Sequence, residues 1–390
     1  MNLIIKAFKI ILNFIYFFMK LFKTKSNRVI FISRQSNKIT LDFKMIIDEL
    51  NRNNNYDIIV FCKRFDNIKK HIFSYSTYTL KTMFYLATSK VCVIDSYCLP
   101  VSILKHKKSL KVMQIWHSLG AIKKFGYQTV GTPYGRSKTI AKGLNMHKNY
   151  DVIISGSKNM SKYFALAFNY DIENFKNYGL PRIDYLINNK NDIKKNIYKK
   201  YPGLKKKKTI LYAPTFRPDC TNSINQVIET IDYRKYNLIV KAHPNQIINI
   251  QKKQVYTCPD VSSLDLLTIT DYLITDYSAI AIEGASIDVK TYYFVFDYDS
   301  YKEKNGLNID LYKEMPGYVF NDFKKLYKKL DEEVYDTKVL KKYKDKYLDN
   351  TKGNSTKLIV KQIKDWCHTR WYNEKNKSTN NKFLQKTCFF

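Results

Sequence analysis

The stretch Asp271-Tyr272-Leu273-Ile274-Thr275-Asp276-Tyr277-Ser278-Ala279-Ile280-Ala281-Ile282-Glu283-Gly284-Ala285 decides the fold. Leu273 and Ile274 read as the end of a buried strand, Thr275 to Ser278 as a turn and helix start, and Ala279 to Ala285 as a tightly packed helix. Strand, polar turn and helix in that order make an anion site. Ser278 and the first free helix N–H groups can donate to phosphate oxygens, and the helix dipole adds partial positive charge there. Taken alone, the same pattern also describes an ordinary capped helix, because Thr, Ser and Asp are the usual caps.

Around this stretch the chain alternates strand-like runs with helix-length polar and apolar segments. Val29 to Ile32, Ile58 to Phe61, Val91 to Ile94, Val112 to Ile115 and Val152 to Ile154 form one series. Thr209 to Tyr212, Asn237 to Val240, Tyr272 to Ile274 and Thr291 to Phe296 form another. Each predicts a parallel sheet with helices on both faces. The fold class is therefore α/β, with two Rossmann-like domains facing across a cleft at the carboxyl ends of their strands, where open α/β sheets bind ligands. The charged segment 188–208, with Pro202-Gly203 and the run Lys205 to Lys208, reads as the linker. The expected division is 1–25, 26–195, 196–371 and a polar, disordered tail at 372–390. The helix from Thr356 to Trp366 is expected to pack back across the first domain.

Residues 3–22 are apolar except for Lys6, Lys9, Asn13 and Lys20. The charge-free run between Lys9 and Lys20 is shorter than the roughly 20 residues a helical span needs. The segment reads as an amphipathic interfacial helix, with Phe and Ile in the acyl boundary and lysines on anionic headgroups, the alternative being a membrane-spanning anchor with snorkelling lysines. It is expected to attach the protein peripherally to the cytoplasmic face of the cell membrane and to stand outside the catalytic fold. No small-residue cleavage site follows it.

The 390 residues carry a formal net charge of +33, which suits polyanionic partners: nucleic acid, an anionic membrane or phosphate-rich substrates. Most of that charge is Lys in a chain rich in Asn, Ile and Tyr, and much of it reads as solvated surface. Arg182 and Arg217 are more telling, because both fall inside motifs and a planar fork suits phosphate. No RNA- or DNA-binding module is present, and an apolar start would serve nothing on nucleic acid. The seven cysteines have no metal-ligand spacing, and their odd number points to a reducing compartment. Asp297-Tyr298-Asp299 is a weak metal pattern with no supporting cluster, so no metal and no cofactor is expected.

His117 follows Trp116 directly after a strand and precedes a loop with Gly120, Lys123, Lys124 and Gly126. A neutral imidazole at that position can take a proton from an acceptor hydroxyl, making His117 the expected general base. His243 also ends a strand, before Pro244, and is placed to donate to phosphate oxygens in the transition state, although the base role is open to it as well. Arg217, Thr275, Ser278 and Lys123 supply further phosphate contacts. Asp276 is either a ligand-facing carboxylate or a cap, and Glu283 can accept from ribose hydroxyls. His71, His106, His147 and His368 belong to no cluster and read as core or solvated.

Five motifs arrive in order: Gln114 to Gly126, Gly179 to Asp184, Ile210 to Arg217, Val240 to His243-Pro244, and the Asp271 segment. This ordered set resembles the CDP-glycerol glycerophosphotransferase family of teichoic acid synthesis over roughly residues 90–365. The resemblance implies a GT-B-like architecture. It also implies transfer of glycerol phosphate from CDP-glycerol to a hydroxyl of a membrane lipid-linked saccharide, with CMP leaving. Where this chain reads Trp116-His117-Ser118-Leu119-Gly120, polymerising members more often show Trp-His-Gly-Thr-Pro-Leu-Lys, and the variant resembles the primase-type branch. A CDP-ribitol or other CDP-polyol donor, a polymerase, a glycosyltransferase of the same architecture and a homo-oligomeric state all stay open. The late turn Gly353 to Thr356 is expected to start a helix rather than bind substrate.

Overall fold

The computed structural model describes residues 2–52, 55–65, 71–215, 221–242, 250 and 252–368. The first sheet is built from β1 (Lys25–Ser33), β2 (Asp57–Cys62), β3 (Ser89–Ile94), β4 (Lys111–Gln114), β5 (Val152–Ile154) and β6 (Phe175–Lys176), in the order β2-β1-β3-β4-β5-β6. The second is built from β7 (Lys208–Tyr212), β8 (Tyr236–Val240), β9 (Val255–Tyr256), β10 (Tyr272–Thr275), β11 (Lys290–Phe294) and β12 (Val319–Phe320), in the order β12-β11-β10-β7-β8-β9. All the pairings are parallel. The central strands β3, β8 and β10 are buried along their whole length, as strands covered by helices on both faces must be. Each apolar run in the sequence lies on one of these strands. The two-residue strands β6, β9 and β12 had no run long enough to announce them.

The chain passes between the sheets twice. Helix Pro181–Lys200 continues well into the segment read as a linker, so the first passage narrows to residues 201–207. The second runs from 346 to 356, where Ser157 Oγ and Asn159 Nδ2 donate to the Lys346 carbonyl, and Asp349 accepts from Lys158 N at 2.8 Å. Residues 355–368 are helical, and the carboxylate of Asp184 receives the amide hydrogens of Ser355 and Thr356 at 2.9 and 2.7 Å. The Thr356 hydroxyl donates to the same carboxylate. A first-domain acid thus caps the last helix and draws it back across the first domain, as the sequence suggested.

Helix Asn2–Met19 is the one marked departure. Leu12 and Tyr16 are buried in the core, the Tyr16 hydroxyl donates to His106 Nδ1 at 2.9 Å, and Asn13 bonds the Ile103 carbonyl and the Lys105 amide. The helix is therefore packed into the first domain instead of standing outside the catalytic fold. Its outer side leaves Leu3, Ile4, Phe14, Phe17 and Phe18 more than half exposed. No helix among the described residues is long and apolar enough to cross a membrane.

Candidate functional site

The carboxyl ends of the two sheets meet at a loop that begins where β4 stops. Gln114, fully buried, accepts the Trp116 amide hydrogen at 2.8 Å and donates to the Ser96 carbonyl at 3.3 Å. Trp116 has φ 53°, a left-handed conformation that is a true outlier for a bulky side chain. Its ring stacks on Phe125 at 5.1 Å and lies 4.3 Å from the His117 ring. This turn points His117 Nδ1 at the Asp95 carbonyl, 3.1 Å away. A carbonyl only accepts, so Nδ1 carries the hydrogen and Nε2 keeps its lone pair. Desolvation, reinforced by the Arg182 and Lys123 charges, pushes His117 down to about 4, so the ring is neutral at physiological pH.

Asp95 stands at the end of β3 beside this histidine. Its carboxylate is buried beside the Ser33 and Ser96 hydroxyls, which favour the charged form. Burial pushes it up to about 6. Carboxyls whose pKa burial raises in this way concentrate at sites that do chemistry.

The second domain clasps the histidine loop. A Cβ on Gly120 would lie 2.2 Å from Ile282 Cδ1, so a larger residue there would have to push the Ile282 side chain aside. Lys123 forms an antiparallel bridge with Leu307, Lys124 N donates to the Gly306 carbonyl, and Asn308 Nδ2 reaches the Ala121 and Lys123 carbonyls. The Lys123 backbone is thus fixed at the junction, and its charge acts on His117.

On the opposite side, Thr275 and Asp276 are buried. The Thr275 hydroxyl donates to the Ala213 carbonyl at 2.7 Å, and Asp276 accepts from both the amide (2.9 Å) and the hydroxyl (2.7 Å) of Thr215. Both residues therefore fasten the loop that leads from β7 toward Arg217. Arg217 and His243 themselves lie outside the described residues. Helix Ile280–Ser286 begins after Ala279, and the half-buried Ser278 accepts from Ile280 N at 3.4 Å. Asp297 accepts from the Tyr277 hydroxyl at 3.1 Å, and Tyr277 stacks on Tyr301.

Arg182 and Glu283, both expected at the ligand, face each other across the junction. Arg182 Nη1 donates to Glu283 at 3.0 Å, while its Nε and Nη2 donate to Asp42. Burial raises the Glu283 pKa and the Arg182 charge works against that rise. The Gly179 to Asp184 motif therefore reads as a fastening. Gly179, at φ 76°, admits Ser355, Pro181 opens the helix, Arg182 holds the second domain and Asp184 caps the last helix. The sequence reading missed Asp42, Asp95 and the positioning role of Gln114. A lone acid at an element end has no spacing signal, and a buried Gln at a strand end was the one visible hint.

Two parallel-sheet domains whose strand ends meet around a buried, neutral histidine define an α/β protein of the kind that binds its ligand between two domains. The chain belongs to the CDP-Glycerol:Poly(glycerophosphate) glycerophosphotransferase family, whose model matches residues 14–365. It is 31% identical over 368 residues to the teichoic acid poly(ribitol-phosphate) polymerase of Bacillus spizizenii, covering 90% of this chain but 58% of that protein, so it spans under two thirds of that relative's length. It is 28% identical over 388 residues to the teichoic acid glycerol-phosphate primase of Bacillus subtilis, covering 93% of this chain and 98% of that one. The fold is similar to that of the wall teichoic acid polymerase TagF soaked with CDPG, with a TM-score of 0.70 at 18% identity, covering 95% and 98% of the two chains. A UDP-GlcNAc 2-epimerase of Methanocaldococcus jannaschii shares the architecture at a TM-score of 0.56 and 14% identity, covering 86% and 99%.

Proposed function

We propose that this chain transfers glycerol phosphate from CDP-glycerol to a hydroxyl of a lipid-linked saccharide at the cytoplasmic face of the membrane, in a GT-B-like frame. The observation that carries the reading is His117, held as the neutral Nδ1–H tautomer at the domain junction beside the Lys123 charge. Nε2 takes the proton of the acceptor hydroxyl as its oxygen attacks the glycerol-bearing phosphorus. The bond from that phosphorus to the bridging oxygen breaks, and CMP departs with the electron pair. Such a transfer needs positioning and charge stabilisation more than covalent help. Lys123, Arg217, His243 and Ser278 are assigned to the phosphates, with Thr275 and Asp276 acting through the 213–215 loop. Glu283 would reach a ribose only by exchanging its bond to Arg182.

A ribitol donor is the second reading, favoured because the relatives include a ribitol-phosphate primase and a poly(ribitol-phosphate) polymerase of Bacillus spizizenii. The test supplies CDP-glycerol and CDP-ribitol in parallel and measures CMP release with and without a lipid-linked disaccharide. Acceptor-dependent CMP from one donor supports the proposal and names the polyol. No acceptor-dependent CMP from either, with a nucleotide sugar consumed instead, overturns it.

A further inference from the structure

The N-terminal helix does more than expose an apolar ridge. Between it and the segments 103–106 and 138–149 lies a groove of about 1110 Å³. Five lysines line it, Lys6 and Lys9 from the helix and Lys105, Lys138 and Lys142 from the first domain, and no carboxylate does. Ile5, Ile10, Ile103 and Leu104 supply apolar wall. The size is at the upper end of ordinary small-ligand sites, which run to roughly 1,000 Å³.

This groove is built into the fold. A Cβ on Gly143 would come within 3.0 Å of Ile5, so glycine there permits helix Lys138–Gly143 to meet the N-terminal helix closely. Lys9 Nζ donates to Asn145 Oδ1 at 3.0 Å across the opening, and Asn13 ties the helix to the Ile103 carbonyl on the other wall. Lysines converging on a cavity that lacks acids attract a multivalent anion, because nothing inside neutralises them. The apolar wall, continuous with the exposed side of the helix, asks for hydrocarbon as well. A free anion would leave that wall unmatched, and a neutral lipid would leave the lysines unmatched.

We infer that this groove is a headgroup site for a phosphate-bearing membrane lipid, with the lipid's chains lying along Leu3, Phe14, Phe17 and Phe18. The inference rests on the proposed transfer to a lipid-linked acceptor at the cytoplasmic face of the membrane, where the N-terminal helix would lie. It adds a defined site, shared between helix and domain, to what would otherwise be diffuse attachment.

The experiment uses the full chain and dihexanoyl phosphatidylglycerol below its micelle concentration, with dihexanoyl phosphatidylcholine and inorganic pyrophosphate as alternative ligands. The charge-reversed pair Lys138→Glu with Lys142→Glu and the milder pair Lys138→Gln with Lys142→Gln change only the domain wall, leaving the helix that would insert. Saturable binding of the anionic lipid, weakened about tenfold or more in a folded variant pair, with pyrophosphate and the choline lipid binding more weakly, is the expected result. Equal binding of pyrophosphate would make the groove a free-anion site, equal binding of the choline lipid would make it a merely apolar one, and unchanged affinity in both pairs would remove it. Any of these overturns the inference. Binding is read without turnover, so a failed transferase assay and a failed headgroup site are separate outcomes.

Discussion

Gln114→Leu is expected to cripple turnover while leaving the fold and the donor affinity in place. Gln114 touches no substrate in this account. It is a positioning residue whose two hydrogen bonds hold Trp116 left-handed and so aim His117. A bulky residue at positive φ costs about 1–3 kcal/mol. A buried donor or acceptor left unmet costs about the same, roughly 1–3 kcal/mol. In the native protein the Gln114 bonds offset the strain, and leucine, of similar volume, removes them while filling the space. The turn is then free to relax, and His117 Nδ1 loses its alignment on the Asp95 carbonyl. A loss of about 2 kcal/mol in transition-state stabilisation corresponds to turnover reduced roughly 10- to 100-fold. Gln114→Glu should fall between, because it still accepts the Trp116 amide hydrogen but no longer donates to Ser96. The assay is steady-state CMP release, giving kcat and the donor KM, alongside near-ultraviolet circular dichroism of the Trp116 environment. A folded Gln114→Leu protein with unchanged kcat would refute the reasoning that the strained turn positions the base.

His117→Ala should lower turnover by about two to four orders of magnitude, the span expected for losing a general base, with donor affinity nearly unchanged in calorimetry. Arg182→Ala leaves Asp42 and Glu283 facing each other without their shared cation, and should destabilise the domain junction by about 3–5 kcal/mol, read by chemical denaturation. Stability should also fall as pH drops below 6.5. His106, His117 and His147 are buried neutral, pushed down to about 4, about 4 and about 3, so the unfolded chain binds protons that the folded chain refuses. Each contributes a loss approaching roughly 3 kcal/mol by pH 4, partly offset by Asp95, whose raised pKa acts in the opposite direction. Urea unfolding across pH 7 to 4 should show that slope, and His147→Gln should make it shallower by its own share.

The two sheets were legible because buried parallel strands are continuous apolar runs, and nine of the twelve strands carry one. The three two-residue strands are defined by neighbours and have no pattern of their own. Of the motif residues, the His117 loop, Arg182 and Glu283 lie where the domains meet, Thr275 and Asp276 hold the 213–215 loop within the second domain, and Arg217 and His243 lie outside the described residues. Their contacts were less visible. Arg182 looked like a phosphate fork because nothing in the sequence announces that Asp42, 140 residues earlier, occupies two of its nitrogens. The N-terminal helix looked detached because its packing depends on Leu12, Asn13 and Tyr16, which in sequence are indistinguishable from residues of a purely interfacial helix. The left-handed turn at Trp116 follows from tertiary hydrogen bonds and leaves no local signature.

The most direct test of the central claim follows the phosphorus. CDP-glycerol and CDP-ribitol labelled at the glycerol- or ribitol-bearing phosphorus are incubated with the full chain and a lipid-linked disaccharide, and lipid and aqueous fractions are separated. The account predicts that the label enters the lipid fraction from at least one donor, in equal amount to the unlabelled CMP released. Label that stays with the nucleotide while the acceptor is modified would mean that the polyol moves without its phosphate, and would contradict the account.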